Sequence, residues 1–132
     1  MRRAPAALVL LAVLAGCGGG SAKPYTAQGT APCLRDKGFT GVTTSPGKVG
    51  FIAGFAANGG LRATRGANVL TIAFTASDAE VAGTKRAFTR AAPPQYKRHM
   101  ADIMESQHNA VLVWTVTPAR PVLDDALGCL HP

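Results

Sequence analysis

The chain has 132 residues, 47% hydrophobic and 16% charged, which is enough for one domain, too short for two, and too apolar for a disordered segment. Fourteen Lys and Arg stand against seven Asp and Glu, a net charge of +7 that suits anionic lipid headgroups or anionic envelope polymers. The charge is weak evidence for nucleic acid, and no nucleic-acid partner is expected once the export signal below is read, because an exported chain rarely meets any.

Arg2 and Arg3 form a short positive segment ahead of an apolar run at residues 6–15. A run of about ten residues matches the core of a secretory signal, whereas a membrane-spanning helix needs about 20. Glycines at 16 and 18–20 end it. Losing Arg2 and Arg3 with residues 1–16 leaves twelve cations against seven anions, a mature net charge of +5. Residues 17–30, with Gly18 to Gly20, Pro24 and Gly29 and little apolar content, read as a flexible tether.

The end of the signal, Leu14-Ala15-Gly16-Cys17, resembles the lipobox of bacterial lipoproteins. That resemblance implies diacylglyceryl transfer to the Cys17 thiol, cleavage before Cys17, and acyl chains such as palmitate that hold the protein on the extracytoplasmic face of the cell membrane. Each buried methylene contributes about 0.8 kcal/mol, so two or three chains anchor firmly. With Cys17 assigned to lipid, Cys33 and Cys129 remain as a pair. Outside the cytoplasm the expectation is a Cys33–Cys129 disulfide; the alternative is two buried free thiols.

Along the domain, residues 31–132, the first expected element is a helix at 31–37. Pro32 suits its first turn and Gly38 its end. A strand at 39–43 and a turn at Ser45-Pro46-Gly47 follow, then a short helix over 49–57. Residues 61–65 and 69–75 read as a hairpin turning near Gly66-Ala67-Asn68. Ser77 with Glu80 is a capping box opening a helix that carries Val81, Thr84, Phe88 and Ala91 and ends before Pro93-Pro94. Residues 95–107 have Tyr96, Met100, Ile103 and Met104 at helical spacing and predict another helix. Residues 109–115 are the strongest strand, and Pro118 and Pro121 introduce a final helix through Val122, Ala126, Cys129 and Leu130.

This order predicts an α+β domain: a single, mainly antiparallel sheet with helices packed on one face. Leu70, Ile72, Phe74, Leu112, Trp114 and Val116 line the covered side. Thr71, Ala73, Thr75, Val111, Val113 and Thr115 fall on the other, half polar, which is either partly buried or a docking surface, and partial burial is the preferred reading. The Cys-Leu near the start, the Val-x-Trp strand and the late Cys-Leu resemble small actinobacterial lipoprotein domains, a likeness that implies no activity.

Several patterns suggest chemistry and fail on spacing. Gly41 to Lys48 has one residue too many for a phosphate loop, and Val49 stands where Ser or Thr should bind magnesium. Ser45-Pro46-Gly47-Lys48 matches Ser-x-x-Lys without the partner motifs of acyl-enzyme families. His99, His108 and His131 lack metal spacing, and Asp124 and Asp125 point about 100° apart on a helix. No metal, cofactor or catalytic residue is expected. Lys85, Arg86, Arg90, Lys97 and Arg98 form the densest positive region, either a solvated face or a contact with anionic lipid or wall polymer. The expected function is therefore a non-catalytic, lipid-anchored interaction module whose partner is an envelope protein or polymer. The alternative is a small-ligand or lipid carrier with cargo around Phe51, Phe55, Met100 and Met104.

Overall fold

The computed structural model of the chain describes residues 22–132, so the signal, the lipobox with Cys17 and the start of the expected tether lie outside the described residues. Five strands form one antiparallel sheet: β1 (Thr40–Thr43), β2 (Gly60–Arg65), β3 (Asn68–Phe74), β4 (Met104–Gln107) and β5 (Ala110–Trp114), in the order β1-β2-β3-β5-β4. β2 and β3 are the expected hairpin, in register from Gly60↔Ala73 to Arg65↔Asn68. β5 lies beside β3, with Leu70↔Trp114, Ile72↔Leu112 and Phe74↔Ala110 on one face. Among the described residues no helix is long and apolar enough to cross a membrane.

That face carries the main core. Leu61, Leu70, Ile72, Phe74, Leu112 and Trp114 are buried on it beneath α1 (Ala27–Asp36) and α6 (Arg120–Gly128), which contribute Ala27, Ala31, Leu34 and Ala126. The disulfide Cys33–Cys129 joins these two helices across a sequence separation of 96, with Cα atoms 5.3 Å apart. The expected antiparallel sheet, its helix-covered face and its covalent bridge are all present. Val116 is the exception on that face: it lies beyond the end of β5 and is 58% exposed.

The opposite face has thinner cover. The one-turn helix α2 (Phe51–Gly54) seats Ala53 against Ala73, and α3 (Val81–Ala91) lays Phe88 beside them. Ala73 and Val111 are fully buried there, Thr71 and Val113 half-buried, and Thr115 exposed, so burial of this face is partial.

Three local expectations are corrected. The first helix starts at Ala27, capped by Thr26, whose Oγ1 accepts from Gly29 N at 2.9 Å. Pro32 therefore sits in its sixth position. The lost hydrogen bond falls between exposed Pro32 and exposed Gln28, where water substitutes, and residues 25–30 belong to the domain rather than to a tether. The Ser77 box is half made: Ser77 caps nothing with its side chain, while Glu80 Oε2 accepts from Ala76 N at 3.2 Å. The helix expected over 95–107 is instead two single turns, α4 (Pro94–Lys97) and α5 (Met100–Ile103), followed by β4. Pairing wins over periodicity there, because Met104 to Gln107 closes the sheet edge against β5 through a two-residue turn. His108 takes φ 50° in that turn.

Candidate functional site

Asn109 organises the end of the sheet where the folded chain begins. It is fully buried. Its Oδ1 accepts from Tyr25 N at 2.7 Å, and its Nδ2 donates to Tyr25 O at 2.9 Å and to Thr75 O at 2.7 Å. Its carbonyl accepts from Thr75 N and Thr75 Oγ1. Beside it His108 Nδ1 meets Asp78 Oδ1, and the His108 ring stands edge-on to Tyr25 at 5.2 Å. His108 Nε2 is enclosed and bonds to no group among the described residues. The geometry of the His–Asp pair is that of a turn held against the N-terminal segment. His99 lies 4.0 Å from exposed Asp102, His131 bonds locally at the C-terminus, and Asp124 and Asp125 pair with different cations. Among the described residues no three His, Cys, Asp or Glu gather as metal ligands.

Two apolar features lie on the surface, one at the end of β5 where the two faces meet and one on the thinly covered face. One is a groove of ≈ 280 Å³ between the end of α3, α4–α5 and β5, lined by Phe88, Ala92, Tyr96, Met100, Val113 and Trp114 among others. Trp114 is 1% exposed, and its Nε1–H is buried with no acceptor among the described residues. The wall is thus mainly apolar, with the hydroxyls of Tyr96 and Thr115 as polar groups among its residues.

The other feature is a knob. Phe51 and Phe55 are 80% and 79% exposed, although they are the first residue of α2 and the residue after its last. Their rings touch, with centroids 4.7 Å apart. They are held outward because the inward position of this turn is Ala53, packed against Gly60 and Ala73. The structure therefore separates the four residues expected around one cargo. Met100 lines the groove, Met104 leads β4, and the two phenyl rings stand in solvent.

The positive region is placed as follows. Lys85, Arg86 and Arg90 ride on α3, with Lys97 in α4 and Arg98 just after it. Arg86, Arg90, Lys97 and Arg98 are exposed and Lys85 half-exposed. None of the five joins an ion pair among the described residues; the pairs formed are Lys37 and Arg65 with Asp125, Arg120 with Asp124, and the two histidine contacts. Comparison with protein families, with curated proteins and with solved structures finds no match for this chain.

Proposed function

We propose that this chain is a lipid-anchored lipoprotein of the cell envelope, held on the extracytoplasmic face of the membrane through Cys17 and acting as a non-catalytic module that docks to an envelope component. The observation that supports this reading is where the fold begins. Tyr25 is bonded into the sheet end by Asn109, and Thr26 N donates to His131 O at 2.9 Å, eight residues after Cys17. The proposed lipid attachment is thus eight residues ahead of Tyr25 in the sequence, in a chain whose described domain is stapled by Cys33–Cys129. A persistent disulfide fits an extracytoplasmic address, where the surroundings are oxidising. The deciding experiment is Cys17→Ser in the native host: lipid labelling and detergent partitioning should both be lost. Unchanged partitioning overturns the anchor.

A second reading, a carrier of a small apolar molecule, is favoured by the groove and the orphan Trp114 Nε1–H. Such a groove fits a slim hydrocarbon body. Native mass spectrometry of protein from its own host separates the two: co-purifying lipid supports the carrier, and a ligand-free monomer supports the docking module.

A further inference from the structure

We infer that the outer surface of α2 and α3 is a second membrane contact, in which Phe51 and Phe55 enter the headgroup–acyl boundary of an anionic bilayer while Arg86 and Arg90 meet its phosphates. The inference deepens the docking reading above and rests on it for the nearness of the membrane. Four observations lead to it.

The first is direction. A helix turns about 100° per residue, so Phe51 and Phe55 each lie about 200° from Ala53, which packs on the sheet. Both rings therefore point away from it. On α3 the inward residue is Phe88, and Arg86 and Arg90 lie at the same offset on either side. The two helices are neighbours, since Phe51, Ile52, Phe88 and Ala91 share one shallow depression. Aromatic rings and guanidinium groups thus leave the same face of the sheet side by side.

The second is exposure. Two touching phenyl rings, tilted to each other by 48° and 80% and 79% exposed, form an apolar projection. Aromatic side chains on a cationic surface are the composition of interfacial membrane binders.

The third is charge. Residues 37–77 and 81–101, which include all of α2 and α3, contain no Asp or Glu at all. Lys37 and Arg65, at the start of the first stretch and on β2, pair with Asp125, whereas Lys85, Arg86, Arg90, Lys97 and Arg98 join no ion pair among the described residues. An anionic sheet of headgroups complements those five cations.

The fourth is reach. Ala27 N donates to Asn58 O at 3.1 Å, and Asn58 is three residues from Phe55, so the aromatic knob sits close to where the folded chain starts. Whatever their conformation, the eight residues from Cys17 to Tyr25 extend at most about 28 Å. A lipid on Cys17 keeps Tyr25 within that range of the bilayer, and the knob lies on the part of the domain next to it.

The test uses the mature lipoprotein reconstituted in vesicles whose acyl chains carry bromine, a short-range quencher of indole emission. A Phe55→Trp variant adds one reporter at the knob, and the unsubstituted protein supplies the background from buried Trp114. In phosphatidylglycerol-rich vesicles the added emission should be blue-shifted and roughly halved by brominated lipid. Adding Arg86→Glu and Arg90→Glu should restore most of it. Protein that floats with the vesicles while the added emission stays unquenched overturns the second contact and leaves the anchor standing. Intact mass reads the lipid on Cys17 separately, so a missing anchor shows there and not in the quenching. A dimer in sedimentation that Phe51→Asp dissolves, with no quenching by lipid, assigns the knob to a second copy of the chain and also overturns the inference.

Discussion

Asn109 and Tyr25 pair through one side chain as two strands pair through their backbones: the carboxamide accepts from the Tyr25 N–H at 2.7 Å and donates to the Tyr25 carbonyl at 2.9 Å. The N-terminal segment is thereby treated as an extra strand without occupying a place in the sheet. Removing that carboxamide orphans the Tyr25 amide and carbonyl and one bond to Thr75 O, in a fully buried site. Asn109→Ala should therefore cost about 3 kcal/mol, toward the upper end for buried groups left unsatisfied. Denaturant unfolding measures it, and a loss under about 1 kcal/mol would show that the segment is held by other contacts.

Sequence patterns exposed β1, β2, β3 and β5, while β4 was hidden in a helical spacing. β3 alternates apolar and polar residues, β5 is a dense β-branched run ending in Trp114, and Gly66 marks the turn between β2 and β3. The covered face followed, since Leu70, Ile72 and Phe74 share one parity with Leu112 and Trp114. What local pattern did not show was the outcome of competition. Tyr96, Met100, Ile103 and Met104 keep helical spacing, yet Met104 to Gln107 gains more by pairing with β5 than by extending a helix. Thr26 was hidden as a cap because Pro32 offered a more familiar helix start. At the candidate site, the cations were legible as a charge run. The outward turn of Phe51 and Phe55 was not, because it depends on Ala53 fitting Gly60, a contact between two small residues that leave no hydrophobic signature.

That contact gives a second prediction. A Cβ on Gly60 would stand 2.5 Å from Ala53 O and 2.8 Å from Ala53 Cβ, so Gly60→Ala must lift α2 from the sheet. The expected loss is about 1–3 kcal/mol, as for other overpacked sites. Gly47→Ala, where a Cβ meets nothing within 4 Å, serves as the control and should stay within about 0.5 kcal/mol. Equal effects at both positions would mean that α2 is not seated as described.

Opening the disulfide should be costly because it spans 96 residues of sequence. The doubly substituted Cys33→Ala, Cys129→Ala chain should lose up to about 4–5 kcal/mol by loop-closure entropy. Intact mass before and after reduction should differ by two hydrogens per bridge. No difference would mean free thiols in the native protein.

Trp114→Phe probes the groove. The indole N–H is buried and unpaired, a cost of about 1–3 kcal/mol, while the smaller ring leaves a void of similar penalty. Stability should therefore change by no more than about 1 kcal/mol, far less than for Leu70→Ala in the same core, where about 3 kcal/mol is expected. Thermal unfolding separates the two cases. If the groove carries an acyl ligand, the same substitution should also reduce the lipid that co-purifies.

The cations on α3 should act through salt-sensitive attraction. Reversing Lys85, Arg86 and Arg90 to Glu should weaken association with anionic vesicles by about tenfold or more at low ionic strength. The difference should shrink as salt brings the screening length to about 10 Å and below. Vesicle co-sedimentation across a salt series measures it, and affinity indifferent to both changes would leave α3 as a solvated surface.

The bridge between α1 and α6 also decides what a protease can accomplish. Every peptide bond between Cys33 and Cys129, and so nearly every surface loop of the domain, lies inside one covalent ring. A single cut there yields two chains that still travel as one molecule, and fragments separate only after a reductant acts or a second cut falls in the same ring.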